Sequence, residues 1–109
     1  MKPMLEVRIF YCVPCGYLGL ACSIANEFFN EGGEQVAVLL VPGLHGILEA
    51  QIEGETVYDK LAEDRFPTPP RIAEARLRLR EKLAALNAAA AHARPRPAPA
   101  PTLEPEPAA

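Results

Sequence analysis

Two cysteines separated by two residues, Cys12 and Cys15, are the side chains of this sequence best suited to carry out chemistry. The thiolate is the nucleophilic form of cysteine, and a second thiol three positions along the chain can close an intramolecular disulfide. Residues 4–11, before the pair, alternate and are rich in β-branched and aromatic residues, whereas residues 16–29, after it, have helical spacing. The sequence therefore predicts a dithiol at a strand-to-helix junction, where the helix N-terminus stabilises an anion.

The predicted helix indicates a role for each sulfur. We expect Cys12, nearer the open end of the helix, to be the attacking thiolate, with a pKa below the free-cysteine value of about 8.5. Cys15, one turn further in and more buried, is expected to resolve the mixed disulfide and leave a Cys12–Cys15 bond. Pro14 suits the first helical turn, where a missing N–H leaves no intrahelical bond unmade.

Composition limits both the architecture and the class of partner. The 109 residues are about half apolar and carry a formal net charge of -3. We therefore expect one small domain, over residues 1–90, and no nucleic-acid binding, which needs a concentrated basic surface. Residues 91–109 are rich in alanine and proline and offer little to bury, which predicts a disordered, extended tail.

The start of the chain and its apolar runs indicate a location. Met1-Lys2-Pro3 leads straight into a strand without the features of a signal peptide, and the longest apolar run, residues 36–41, is too short to span a bilayer. We expect a cytoplasmic protein with no membrane partner, in a compartment where thiols stay reduced. The odd number of cysteines argues against a structural disulfide framework.

Hydrophobic spacing and turn residues predict six elements in the order β-α-β-β-β-α. They cover residues 4–11, 16–29, 36–41, 47–52, 55–60 and 69–86. Because the first strand alternates, one face of the sheet is expected to be wet and both helices to pack on the other. The elements form a parallel βαβ half, a hairpin through Glu53-Gly54 and a last helix. This arrangement predicts a two-layer α+β, thioredoxin-like fold with a mixed four-stranded sheet.

Three segments resemble the Rdx family, the selenoprotein W, T and H group. They are Tyr11-Cys12-Val13-Pro14-Cys15-Gly16-Tyr17, Gly46-Ile47-Leu48-Glu49-Ala50 and Arg65-Phe66-Pro67. The resemblance covers roughly residues 4–86 and implies a thioredoxin-like fold and a thiol-based redox role that is often glutathione-linked. Cys15 occupies the position that can be selenocysteine in that family, so the chain is similar to its all-cysteine bacterial form.

Five residues are expected to line the dithiol and contact the substrate. They are Tyr11, Tyr17, His45, Gly46 and Phe66. Tyr17 and Phe66 would edge the site, and packing around a helix start and a loop explains both equally well. His45 lies in the loop predicted to face the dithiol, where a lone histidine is more often simply exposed. Compared with thioredoxins, Gly46 replaces the cis-proline and Tyr11 a tryptophan, which argues against general protein-disulfide reduction.

A zinc site is the main structural alternative for a Cys-x-x-Cys motif. A structural zinc needs four ligands, and the other candidates are Cys22, His45 and His92. Cys22 is about 10 Å further along the predicted helix than Cys15 and lies on its apolar stripe, so we expect a small buried side chain there. His92 lies in the predicted tail, which leaves His45 alone unless a dimer supplies a second dithiol. We therefore expect no metal and no bound cofactor.

The sequence favours a thiol–disulfide oxidoreductase with glutathione as a co-substrate, or with protein thiols and disulfides as partners. The alternative is a redox-sensitive interaction module whose dithiol state controls partner binding without turnover. Disulfide reduction that is lost in a Cys12→Ser variant would favour the enzyme, whereas oxidation-dependent capture without turnover would favour the module.

Overall fold

The computed structural model describes residues 3–92 of the chain. Four strands and three α-helices make up this part, with a short 3-10 turn at Gly33–Gln35. The strands are β1 (Leu5–Cys12), β2 (Val36–Gly43), β3 (Leu48–Ile52) and β4 (Glu55–Asp59), and the helices are α1 (Leu18–Gly32), α2 (Lys60–Glu63) and α3 (Pro69–His92). Apart from the short α2, the elements follow the predicted order.

β1 is a central strand of the sheet, whose order is β2-β1-β3-β4. It pairs in parallel with β2, so that Cys12 lies opposite Gly43, and antiparallel with β3. β3 and β4 form the predicted hairpin, in which Glu53 and Gly54 have φ values of 50° and 84°. Positive φ at both turn residues gives the twist that suits a two-residue hairpin. The mixed four-stranded sheet is confirmed, and the carboxyl ends of β1 and β2 lie side by side.

One hydrophobic core lies between the sheet and the two long helices, which also pack on each other. In β1 the core side contains Leu5, Val7 and Ile9, whereas Glu6 and Arg8 are exposed, as the alternation predicts. The helices contribute Ala21, Ile24, Ala25 and Phe28 from α1 and Ile72, Ala75, Leu79 and Leu83 from α3. Both long helices therefore cover the same face of the sheet, which confirms the two-layer arrangement.

α1 begins later than predicted, because a turn occupies residues 13–17. Pro14 consequently lies in that turn and not in the first turn of the helix. Cys22 is exposed, so the prediction of a buried side chain there is wrong. Its neighbour Ala21 is on the core stripe, and one residue further along rotates the side chain by about 100° towards solvent. Ile24, not Cys22, completes the buried stripe.

β2 runs two residues beyond its predicted end, through Pro42 to Gly43. The strand lies at the edge of the sheet and has β1 as its one neighbour. At an edge, the N–H that proline lacks is one that would face away from the sheet, so no hydrogen bond of the ladder is lost. Pro42 therefore does not end the strand, contrary to the prediction.

α3 carries the predicted apolar stripe, but its basic side is not simply solvated. Arg71 is buried, and the other arginines of the helix form ion pairs with α1 or β4. The helix runs to His92, so the predicted tail, residues 91–109, lies outside the described residues except for its first two. No helix within residues 3–92 combines the length and apolarity that crossing a bilayer requires.

Candidate functional site

Cys12 is the last residue of β1 and is fully buried, with 0% of its surface exposed. Its backbone N–H donates to the Ile47 carbonyl at 2.8 Å, and its carbonyl accepts from the Tyr17 N–H at 3.2 Å. The strands β2 and β3 flank it on either side, and the turn at residues 13–17 closes over the strand end. The flanking strands fix the backbone of Cys12, and the turn that follows carries Cys15, the residue to which Cys12 is bonded.

Cys15 lies in the turn and is exposed. A disulfide joins it to Cys12, and their Cα atoms are 5.3 Å apart, a normal separation for a disulfide. The turn is closed by a 3.0 Å hydrogen bond from the Gly16 N–H to the Val13 carbonyl. The pair is thus within bonding distance, but its exposure is the reverse of that expected: since α1 begins only at Leu18, Cys15 is not held inside a helical turn.

The loop between β2 and β3 borders the dithiol through its backbone. The Val13 N–H donates to the Gly43 carbonyl at 3.0 Å, which ties the dithiol turn to the start of this loop. His45 and Gly46 have φ values of 63° and 80°, and His45 is exposed. A Cβ on Gly46 would lie 3.8 Å from Leu61 Cδ2, so the loop also lies against α2.

An aromatic pair lies beside the turn. The rings of Tyr17 and Phe66 meet edge to face, with centroids 6.5 Å apart and an interplanar angle of 79°. The Lys60 ammonium lies over both rings, 4.5 Å from the centroid of Phe66 and 5.7 Å from that of Tyr17. Because Tyr17 is two residues after Cys15, their Cα atoms are at most about 7.6 Å apart. The structure thus brings together two predicted site residues and adds Lys60 to them.

Two other predicted site residues, Tyr11 and His45, differ in their surroundings. Tyr11 is half-buried and packs against the hydrophobic core. His45 is an exposed side chain of a loop. Their contact with a substrate stays a prediction.

Lys60 was missed because the sequence was interpreted as a strand through that position. The structure instead begins α2 there, with Asp59 as its N-cap. Asp59 Oδ1 accepts from the backbone N–H groups of Leu61 and Ala62 at 3.1 and 3.2 Å, and Glu63 Oε2 accepts from the Asp59 N–H at 3.0 Å. An aspartate followed closely by a glutamate is a helix-start signal, and it was available in the sequence.

Arg71 fixes α2 to the rest of the domain. Its guanidinium donates to both carboxylate oxygens of Glu63, at 2.6 and 2.7 Å, and to the Val57 carbonyl at 2.7 Å. These hydrogen bonds hold the pKa of Glu63 below its ordinary value, although burial opposes the shift. The position of Lys60, at the other end of this short helix, therefore depends on a charged pair that is largely shielded from water.

Tyr58 fixes the segment that carries Phe66. Its ring is fully buried, and its hydroxyl donates to the carbonyl of Arg65, the residue before Phe66. Burial disfavours the phenolate and raises the pKa of Tyr58 to about 12. The aromatic pair beside the dithiol is thus connected to the core through the backbone.

Exposed apolar side chains lie on the dithiol turn and on the segments next to it. Of the large apolar residues within residues 3–92, five are more than half exposed, and four of these lie on the dithiol turn or on the neighbouring segments, which are the β2–β3 loop, α2 and the segment that carries Phe66. We call these four the apolar rim: Val13, Leu44, Leu61 and Phe66, at 52%, 57%, 57% and 55% exposed. The fifth, Leu77, lies on α3. Large apolar patches on a protein surface mark contact sites for partners or ligands.

A metal centre finds no support in the described part of the chain. Within residues 3–91, whose side chains the structure describes, no three side chains of histidine, cysteine, aspartate or glutamate come close enough together to hold a metal ion.

Comparisons with known proteins agree with the fold. The family model described as the Rdx family matches residues 6–75. A solved structure of a protein from Bordetella parapertussis is 28% identical, with a TM-score of 0.61 over 69% of this chain and 95% of that one. A selenoprotein W-related protein from Vibrio cholerae is 20% identical, with a TM-score of 0.64 over 73% of this chain and 98% of that one. No curated protein gives a significant match.

The family match extends over more than half of the chain and includes both cysteines. The structural neighbours share the mixed sheet with helices on one face, which is the thioredoxin-like arrangement. The chain therefore belongs to the Rdx family, whose members are generally redox-related.

Proposed function

We propose that the protein is a thiol–disulfide oxidoreductase in which Cys15 attacks the substrate and Cys12 resolves the intermediate. The observation that carries this proposal is the contrast within one bonded pair, since Cys15 is exposed and Cys12 is fully buried. An attacking sulfur must be reached by a bulky disulfide, whereas a resolving sulfur needs only to reach its partner. The roles are therefore the reverse of those that the sequence predicted.

The reaction is a two-electron exchange. The Cys15 thiolate attacks one sulfur of a substrate disulfide, the substrate S–S bond breaks, and the released sulfur takes up a proton. The Cys12 thiol then gives up its proton and attacks the Cys15 sulfur, which forms the Cys12–Cys15 bond and releases the second substrate thiol. The substrate gains two electrons and two protons in total, and the protein dithiol is oxidised to the disulfide.

The disulfide returns to the dithiol by the same chemistry in reverse. A thiolate of glutathione, or of a protein dithiol, attacks the exposed Cys15 sulfur and releases Cys12, and a second thiol completes the reduction. A compartment with a reducing thiol pool supplies these electrons, which favours the cytoplasm as the site of action.

Single-cysteine variants test the assignment, in a Cys22→Ser background that removes the exposed third thiol. The reduced Cys12→Ser variant should form a stable mixed disulfide with a peptide disulfide, detected by intact mass, because nothing resolves it. The Cys15→Ser variant should form none. Rapid mixed-disulfide formation by Cys15→Ser, or its absence in Cys12→Ser, would refute the proposed roles.

The apolar rim supports a second candidate, a redox-sensitive interaction module. Four large apolar side chains at the border of the dithiol provide a contact surface that catalysis on a small substrate does not need. Multiple turnovers with a thiol donor, measured with the unsubstituted chain, distinguish the two functions. Stoichiometric binding that changes with dithiol oxidation, without turnover, would favour the module.

A further inference from the structure

We propose that Lys60, held between Tyr17 and Phe66, recognises a carboxylate carried by the disulfide substrate next to the sulfur that Cys15 attacks. The proposal rests on the proposed function and adds the chemical class of substrate. It identifies disulfides with an acidic group beside the half-cystine as the preferred substrates.

The first argument is the pairing of the basic side chains. Within residues 3–92, each arginine and Lys82 lies within 4.0 Å of a glutamate carboxylate. Lys60 is the exception in this part of the chain, because its contacts are the faces of the two aromatic rings. It is therefore the cation whose charge is left to interact with a ligand.

The second argument is the position of this cation. The ammonium is 5.7 Å from the ring centroid of Tyr17, which follows Cys15 by two residues. The cation therefore lies over the ring of a residue that is close to Cys15 in the chain, and a carboxylate one or two residues from the reacting sulfur of a peptide is the matching group. The two aromatic rings also hold the ammonium in this position, because contact with them restricts a side chain that would otherwise move freely in solvent.

The third argument concerns the surrounding charges. The nearest acidic side chains in sequence, Asp59 and Glu63, are occupied by the N-cap of α2 and by Arg71. Arg65, the other cation of this region, lies 3.9 Å from Glu74. These pairings leave the ammonium of Lys60 as the group that an incoming carboxylate would meet beside the dithiol.

A matched series of substrates tests the proposal in the full chain with Cys22→Ser. Three short peptides differ in the residue next to the cysteine, which is glutamate, glutamine or lysine, and each is joined by a disulfide to the same chromogenic thiol. The second-order rate constant of release by the reduced protein is measured at low and high ionic strength. Lys60→Met should lower the rate constant of the glutamate peptide roughly two- to fivefold, leave that of the glutamine peptide unchanged and raise that of the lysine peptide. The difference between the variant and the protein with Lys60 should shrink at high salt.

Lys82→Met serves as the matched control, because it removes the same charge from a residue that pairs with Glu55 at the start of β4. It should change none of the three rates. If Lys60→Met changes all three rates equally, or none of them, the proposal is overturned. Failure of the proposed function looks different, because all three peptides would then react no faster with the Cys22→Ser protein than with the same protein carrying Cys15→Ser.

Two sources of the carboxylate are separated by a further arm. Glutathione disulfide and a longer peptide disulfide with the same acidic neighbour are compared in the same variants. A Lys60-dependent rate with glutathione disulfide identifies a small thiol as the source, and dependence with the longer peptide alone identifies a protein segment. Absence of Lys60 dependence with both would count against the proposal.

Discussion

The two ends of the sheet differ in whether their charged groups are paired within the chain and in how much apolar surface they expose. At the hairpin end, Glu55 pairs with Arg78 at 2.8 Å and with Lys82 at 2.7 Å. At the dithiol end, Lys60 has aromatic neighbours instead of a carboxylate, and the apolar rim is exposed. One end closes its interactions within the chain, whereas the other leaves a cation, a sulfur and apolar surface for something outside it. Similar strand ends can therefore be distinguished by what they leave unsatisfied.

The largest expected difference lies within the dithiol itself. In reduced single-cysteine variants, iodoacetamide should alkylate Cys15 at least about a hundredfold faster than Cys12, because buried thiols are inert. Mass spectrometry of the alkylated protein over time measures both rates. Comparable rates would mean that reduction opens the end of β1, and the contrast in exposure would then hold for the disulfide form alone.

The second prediction compares the charged pairs at the two ends. Glu63→Gln should lower the free energy of unfolding by about 2 to 3 kcal/mol, because it weakens charge-assisted hydrogen bonds to the largely buried Arg71. Glu55→Gln should have a much smaller effect, since its pair is exposed to solvent and screened by salt. Urea unfolding of both variants measures the difference, and equal losses would remove the distinction between the two ends.

The pair of Glu63 and Arg71 also predicts how the stability of the fold changes in acid. The pKa of Glu63 is lower in the folded protein than its ordinary value of 4.5, chiefly because of the Arg71 hydrogen bonds. Its contribution is therefore fully present above pH 4.5 and is lost as the pH falls through the lowered value. The Glu63→Gln variant should show a flatter decline of stability over that range. A parallel decline in both proteins would show that other carboxylates control acid unfolding.

Tyr58 gives a smaller effect at the opposite extreme of pH. Tyr58→Phe removes the hydrogen bond to the Arg65 carbonyl and should cost about 1 kcal/mol at neutral pH. Because burial raises the tyrosine pKa from 10.0 to about 12, the protonated form stabilises the fold, and that contribution is lost as the pH rises from 10.0 towards 12. Alkaline unfolding followed by circular dichroism should be less steep in the variant, and an unchanged curve would contradict this role.

The apolar rim gives the smallest predicted effect. Phe66→Ala should slow the reduction of a peptide disulfide by a few-fold, but not that of a small neutral disulfide, because the ring offers contact area and is more than half exposed. Leu77→Ala, at 51% exposed on α3, is the matched control and should leave both rates unchanged. An equal loss with both substrates would indicate a general disturbance of the site.

Most of the fold could be predicted because its elements have regular periods. The alternation of β1 and the stripe of α3 each result from burial of one face, and that pattern is recorded directly in the sequence. The hairpin could be predicted as well, since Glu53-Gly54 occupies a turn that requires positive φ. These features depend on residues close together in the chain.

The candidate site was harder to predict because it depends on contacts between distant segments. The backbone of Cys12 lies between β2 and β3, and the sheet order that places these strands there is not a local property. Lys60 reaches Phe66 and Tyr17 only because α2 begins at Lys60, directly after its N-cap Asp59, and is held by Arg71. The cap was visible in the sequence, but the ring contacts over 43 residues, from Tyr17 to Lys60, were not.

Pro42 has a consequence for self-association. Edge strands can recruit a strand from another molecule, which is a common start of aggregation. Without an N–H at residue 42, a foreign strand added along β2 would lose a hydrogen bond two residues before the loop that begins at Leu44. Intermolecular sheet growth is thereby discouraged at the end of β2 that lies beside Cys12.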